Sequence, residues 1–171
     1  MLSISSSSSI ILFPFTSCHS ASSIIARSKW DTSRVTTMKS MFSGAEKFNG
    51  DLSTWITTEI TTLYRTFRNA KAFSGKGLDT WLTSKVTNFY GTFEGANTFT
   101  ADLSNWDLSK AITTNKMFES AKKFNSDLSK WNTTSNKNMR SMFADAGSFN
   151  SDVSYKKRIK WFVFIMIFII D

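Results

Sequence analysis

Tryptophan stands at positions 30, 55, 81, 106 and 131, and the residues between successive tryptophans repeat. The steps are 25, 26, 25 and 25 residues. Twelve positions after each Trp comes a Phe: Phe42, Phe67, Phe93, Phe118 and Phe143. Three later comes an Ala (Ala45, Ala70, Ala96, Ala121, Ala146), and three after that a second Phe (Phe48, Phe73, Phe99, Phe124, Phe149). Leu52, Leu78, Leu103, Leu128 and Val153 close the units, and the one longer step is an insertion within Ser74-Gly75-Lys76-Gly77. One unit of this size cannot bury its own apolar face. A fixed period of this length therefore means units that stack on their neighbours.

Within a unit the apolar spacing suggests a helix. Val35, Met38, Met41, Phe42 and Ala45 trace one helical face and predict a helix over 34–43. Ser33, Thr58, Ser84, Ser109 and Thr134 share the slot before it, where a hydroxyl can accept from a free backbone N–H. Gly44, Asn69, Gly95, Ser120 and Asp145 share the slot before the Ala, where a left-handed residue would end the helix. Asp51-Leu52-Ser53, bounded by turn residues, predicts a short strand. The expected architecture is an α/β solenoid of five roughly 25-residue helix-plus-short-strand repeats. Strands about 4.8 Å apart would line its inner side and helices its outer side.

The chain divides into residues 1–29, a Ser-rich start; 30–154, the array; and 155–171, a basic then apolar tail. The start suits a secretory or lipoprotein leader, a transit peptide or a disordered terminus. The tail runs from Lys156, Lys157, Arg158 and Lys160 into ten apolar residues, Trp161 to Ile170. As a helix these would span about 15 Å, half of a bilayer core. They read as a capping strand or a remnant of further repeats, or as a truncated membrane anchor. The formal charge of +8 sits mostly in these flanks. From Trp30 to Val153, 15 Lys and Arg face 12 Asp and Glu, a surplus of 3, so no nucleic-acid partner is expected.

Cys18 and His19 both precede the array. It therefore offers no disulfide, no Cys/His metal site and no Cys–His or Ser–His nucleophile, and neither cofactor nor enzyme activity is expected. Two columns of the repeat are candidates for contact. The tryptophans form either an exposed aromatic ladder or part of the core. The residues Asp51, Ser53, Asp79, Asp102, Ser104, Asp127 and Ser129 recur beside the expected strand and would form a polar strip on its open face. The Asp column could gather Ca²⁺. Alternatively, each carboxylate bonds N–H groups in its own turn.

The run Trp-Asp-Thr-Ser-x-Val-Thr-x-Met-x-x-Met-Phe-x-x-Ala-x-x-Phe-Asn-x-Asp-Leu-Ser-x-Trp resembles the BspA-like surface-protein repeat, a 25-residue relative of the leucine-rich repeat. It covers Trp30 to about Ser154. Units two and three depart most, with Thr66 and Thr92 in place of Met and Gly77 in place of Asp. The resemblance implies a leucine-rich-repeat-like array that presents a surface for protein binding or adhesion, secreted or at the cell surface. Its partner would be a protein or a surface glycan, with membrane association possible through the apolar tail. The competing expectations are an intracellular interaction scaffold and a fragment of a longer array.

Overall fold

The computed structural model describes residues 30–150. The expectations for residues 1–29, and for the basic and apolar tail, lie outside the described residues.

The five units do stack, but not as helices and strands. In the first unit the N–H groups of Met38, Ser40, Phe42 and Gly44 donate to the carbonyls of Thr62, Tyr64, Thr66 and Arg68, at 2.7–3.2 Å. The next units repeat this alternation: Leu63, Arg65, Phe67 and Asn69 donate to Asn88, Tyr90, Thr92 and Glu94. The intervening N–H groups close turns within their own unit, Met41 to Met38, Ser43 to Ser40 and Ala45 to Phe42. Each unit is thus a run of tight turns whose spare donors reach one unit forward.

This overturns the expected α/β solenoid of helix-plus-strand, leucine-rich-repeat-like repeats. Among the described residues the only helical piece is a single 3-10 turn, Leu78–Thr80. Strand pairing among these residues is confined to isolated parallel bridges, Thr37 to Thr62, Thr62 to Asn88, Asn88 to Thr113 and Thr113 to Asn138. These bridges fall inside the segment expected to be helical. The segment expected to be a strand is a turn at Ser53-Thr54.

Two physical causes explain the difference. The first is spacing. Rings of the Phe42–Phe67–Phe93–Phe118–Phe143 column lie 5.2–5.6 Å apart, nearly parallel. Helices need about 8–10 Å between axes, so none fits on the face that carries this column. The second is backbone handedness. Gly44, Asn69, Gly95, Ser120 and Asp145 all have positive φ, as their side chains suggested. A second residue four positions earlier is also left-handed in every unit: Ser40, Arg65, Gly91, Lys116 and Ser141. A left-handed residue in the third place of a turn is the type II geometry, and two of them so close together in each unit exclude an α-helix.

The core is built of columns rather than of elements. Both phenylalanine columns are buried through the first four units, and Phe143 and Phe149 of the fifth are partly buried. Trp81, Trp106 and Trp131 are buried, and the rings of Trp81 and Trp106 stack in parallel with centroids 6.3 Å apart. The three indole N–H groups donate to the carbonyls of Leu52, Leu78 and Leu103, each at the equivalent corner one layer down the stack, at 2.9–3.3 Å. These tryptophans are therefore core, and each pins its corner to the equivalent corner below it. Buried threonines do the same. Thr57 Oγ1 donates to Leu82 O and accepts from Leu82 N–H; Thr83 Oγ1 does likewise with Asp107.

The polar replacements in the core follow the same logic. Thr66 and Thr92 stand where units one, four and five have Met, and each is buried. Thr66 donates to Met38 O at 2.9 Å, and Thr92 to Leu63 O at 3.0 Å, so neither hydroxyl is stranded. Thr114, also buried, accepts from Asn136 Nδ2 at 2.9 Å. Asn136 occupies the slot filled by Val35 in unit one, so two polar residues replace two apolar ones as a pair.

The insertion is absorbed at one corner. Gly77 is left-handed, and a side chain there would run into the backbone of Leu52 and Ser53. The extra residue is taken up by the 3-10 turn that follows.

Candidate interaction surface

The strip read from the sequence lies along one corner of the stack. Asp51, Ser53, Asp79, Asp102 and Asp127 are exposed, and Ser104 and Ser129 are partly so. The corner is a turn, not the face of a strand. Asp51 Oδ1 accepts from Ser53 N–H at 2.9 Å, Asp102 from Ser104 N–H at 2.8 Å and Asp127 from Ser129 N–H at 2.8 Å. The carboxylates thus hold their own turns. The Ser53 N–H, then its hydroxyl and Lys76, hold the Asp51 carboxyl at about 2. The corresponding bonds from Ser129 lower Asp127. Lys76 Nζ also pairs with Asp51 at 3.0 Å. A second corner has the same construction, with Asp31, Asp107 and Asn132 accepting from Ser33, Ser109 and Thr134. Among the described residues, no group of three or more His, Cys, Asp or Glu is placed to hold a metal ion.

A different face went unread in the sequence. It is centred on the bridge column Thr37, Thr62, Asn88, Thr113 and Asn138. Each side-chain oxygen accepts from the N–H two residues on, at 2.9–3.3 Å, which fixes the start of the turn run. Those N–H groups belong to Lys39, Tyr64, Tyr90, Asn115 and Arg140, whose side chains form the outer column of this face. The Tyr64 and Tyr90 rings stack at 5.2 Å. The Arg65 guanidinium lies 5.2 Å from both ring centres, and Lys39 Nζ lies 5.4 Å from that of Tyr64. Behind them, Arg68 Nε pairs with Glu94 at 3.1 Å, and Lys116 with Glu119 at 3.1 Å. Gly91 opens a gap in the Arg65–Lys116 column, and Glu94 Oε2 fills it: a Cβ at Gly91 would lie 2.9 Å from that oxygen.

The signal for this face was present in Thr36-Thr37, Thr61-Thr62 and Thr87-Asn88. Paired β-branched or Asn residues suit a turn start or an extended segment better than a helix interior. Elsewhere among the described residues the large exposed apolar side chains are Ile56 (49%), Leu82 (60%) and Ile112 (48%). Ile56 and Leu82 occupy the same slot in adjacent units. Among the described residues no helix is long and apolar enough to cross a membrane.

No curated protein and no solved structure matches the chain. A family profile matches it twice, over residues 14–77 and 61–161, which overlap and together span more than half of the sequence. The second match takes in the units of Phe93 and Phe118 and runs through the fifth unit. The chain belongs to the family described as Mycoplasma protein of unknown function, DUF285.

Proposed function

We propose that this chain is a non-enzymatic repeat protein of BspA-like kind that presents its face to a protein or glycan, outside the cell or on its surface. The observation that carries the reading is the Tyr64–Arg65–Tyr90 cluster with Lys39 beside it. Tyrosine and arginine are enriched among the few residues that dominate binding energy at protein interfaces, because each offers a large surface and a polar end. Here they stand on a rigid backbone ladder rather than on a loop, so little order is lost on binding. The Asp–Ser corner supports the reading less well, because its carboxylate oxygens already serve their own turns.

Two measurements test it. Antibody accessibility on intact cells, with and without permeabilisation, reports location; signal only after permeabilisation sinks the surface reading. Binding to panels of extracellular proteins and glycans would then be compared for Tyr64→Ala/Tyr90→Ala and for Asp102→Lys/Ser104→Lys. The tyrosine pair should weaken binding at least about tenfold, in the range of an interface hot spot. Unchanged affinity in a folded double variant would move the contact off this face.

A further inference from the structure

The Tyr64–Tyr90 face carries charge as well as rings. Its columns hold Lys39, Arg65, Arg68, Lys116 and Arg140 against Glu94 and Glu119, five cations to two carboxylates. That surplus of three equals the surplus of the whole stretch from Trp30 to Val153, so the rest of the array is balanced. Both carboxylates on the face are already engaged, Glu94 by Arg68 and Glu119 by Lys116. Lys39 and Arg140 are exposed and Arg65 partly so, and these three meet no carboxylate among the described residues. Arg65 differs from the other two in being held in place. Its guanidinium lies 5.2 Å from the centres of both tyrosine rings. Yet no side-chain hydrogen bond engages it among the described residues, and its Nε is enclosed without an acceptor. A guanidinium fixed in position with its fork of N–H groups unspent is suited to take an oxyanion two oxygens at a time.

We infer, resting on the reading of this face as the contact surface, that its ligand is an acidic glycan. A sugar chain bearing sulfate or carboxylate groups would lie along the stack from Lys39 to Arg140, with Arg65 as its anchor. Three observations favour that chemistry. The cations form a line rather than a ring: they stand in units one, two, four and five, across four steps of 5.2–5.6 Å. Such a line matches a polymer charged at intervals and not a small anion. A protein partner fits less well. The middle of a protein interface is poor in charge, and this face offers no apolar centre, because Ile56, Leu82 and Ile112, the large exposed apolar side chains among the described residues, lie in other columns. A single-stranded nucleic acid needs open aromatic faces on which to stack its bases. Here the two rings stack on each other, with Lys39 and Arg65 against them.

The test is calorimetric binding of the full chain to dextran sulfate and to uncharged dextran of the same length. Binding to the first and not to the second is expected. Arg65→Gln should weaken it at least about tenfold, as loss of a central anchor does. Arg65→Lys keeps the charge but loses the fork, and should remain at least about threefold weaker than the unaltered chain. Lys39→Gln/Arg140→Gln, at the two ends of the line, should weaken binding at least about threefold. Lys110→Gln/Lys130→Gln removes the same charge from exposed positions off the face and should change it less than about twofold. No binding to dextran sulfate, or equal affinity for the two dextrans, overturns the inference. So does an Arg65→Gln effect no larger than that of Lys110→Gln/Lys130→Gln, or tighter binding to polyglutamate, to oligo-dT or to phosphatidylglycerol vesicles than to dextran sulfate. If an extracellular protein binds instead and loses affinity with Tyr64→Ala/Tyr90→Ala, the face stands as a contact surface and the glycan alone falls. If the tyrosine pair alters no binding at all, the face itself falls.

Discussion

The sign of one substitution separates a turn-built unit from a helical one. Gly91 lies at the centre of the segment whose apolar spacing resembles a helix. In a helix, Gly→Ala is favourable by about 1 kcal/mol, because Ala has the higher propensity and the unfolded chain loses freedom. In this structure Gly91 has φ of 57°, and a Cβ there would lie 2.9 Å from Glu94 Oε2. The left-handed conformation costs Ala roughly 1–2 kcal/mol. Displacing Glu94 weakens its pairing with Arg68, a partly exposed contact worth about 0.5 kcal/mol. After subtracting about 0.5 kcal/mol for the stiffer unfolded chain, Gly91→Ala should destabilise by about 1–2 kcal/mol. Two controls isolate the contributions. Gly44→Ala has φ of 74° and an empty site, so it carries the backbone cost alone. Gly147→Ala has neither the left-handed φ nor a close neighbour and should be neutral or slightly stabilising. Urea unfolding followed by tryptophan fluorescence gives all three values. The expected order of stability is Gly147→Ala, then Gly44→Ala, then Gly91→Ala. A gain in stability from Gly91→Ala would refute the turn-based account.

Further outcomes follow from the columns. Phe93→Ala removes a fully buried ring packed on Phe67, Phe99, Trp106 and Phe118; about 150 Å² at 25 cal/mol/Å² gives a loss near 4 kcal/mol. Phe143→Ala, partly buried and packed on one neighbouring unit, should cost less than half of that; equal losses in urea unfolding would show that the column is not a stack. Thr114→Met and Asn136→Val should each destabilise, because each strands the other's polar group. Together they restore an apolar pair, so a double-mutant cycle should give a favourable coupling of about 1–3 kcal/mol, and additivity would remove the pairing. Asp51, held at about 2 by Ser53 N–H, titrates below an unfolded aspartate. Its contribution is therefore complete above about pH 4 and is lost as pH falls toward 2. An NMR titration of its carboxyl with a midpoint near 4 would exclude that hydrogen bond.

The repeat, its columns and the identity of the core are legible in the amino-acid sequence. So is the left-handed slot at Gly44 and Asn69, because glycine and asparagine carry that signal in their chemistry. The second left-handed slot is not, because Arg65, Lys116 and Ser40 are ordinary residues there and only Gly91 hints at it. The spacing of Met38, Met41, Phe42, Ala45 and Phe48 is ambiguous in principle. Helical neighbours lie three and four apart, but so do the ends of successive three-residue turns, and these are the residues whose bonds close the turns here: Met41 to Met38, Ala45 to Phe42 and Phe48 to Ala45. What decides between them is the distance to the next unit, which no single unit encodes. The Asp51–Ser129 strip is legible as a column of turn residues. The Tyr64–Tyr90 face is not, because the apolar spacing assigns its side chains to a helix.

The hydrogen bonds that join the units have a consequence for the sequence as a whole. Every unit presents the same pattern of acceptors to the unit before it and the same donors to the unit after it, whatever side chains it carries. Unit two would therefore accept unit four as a neighbour almost as readily as unit three. Excising a whole period of 25 residues leaves two matching surfaces that can rejoin, whereas excising one residue fewer leaves an extra residue that needs a corner like that at Gly77 to absorb it. The number of units is then the most easily changed property of such a chain. The same interchangeability lets one unit be skipped during folding, and differences between units, such as Thr114 paired with Asn136 or the extra residue at Gly77, are what keep the order of assembly unique.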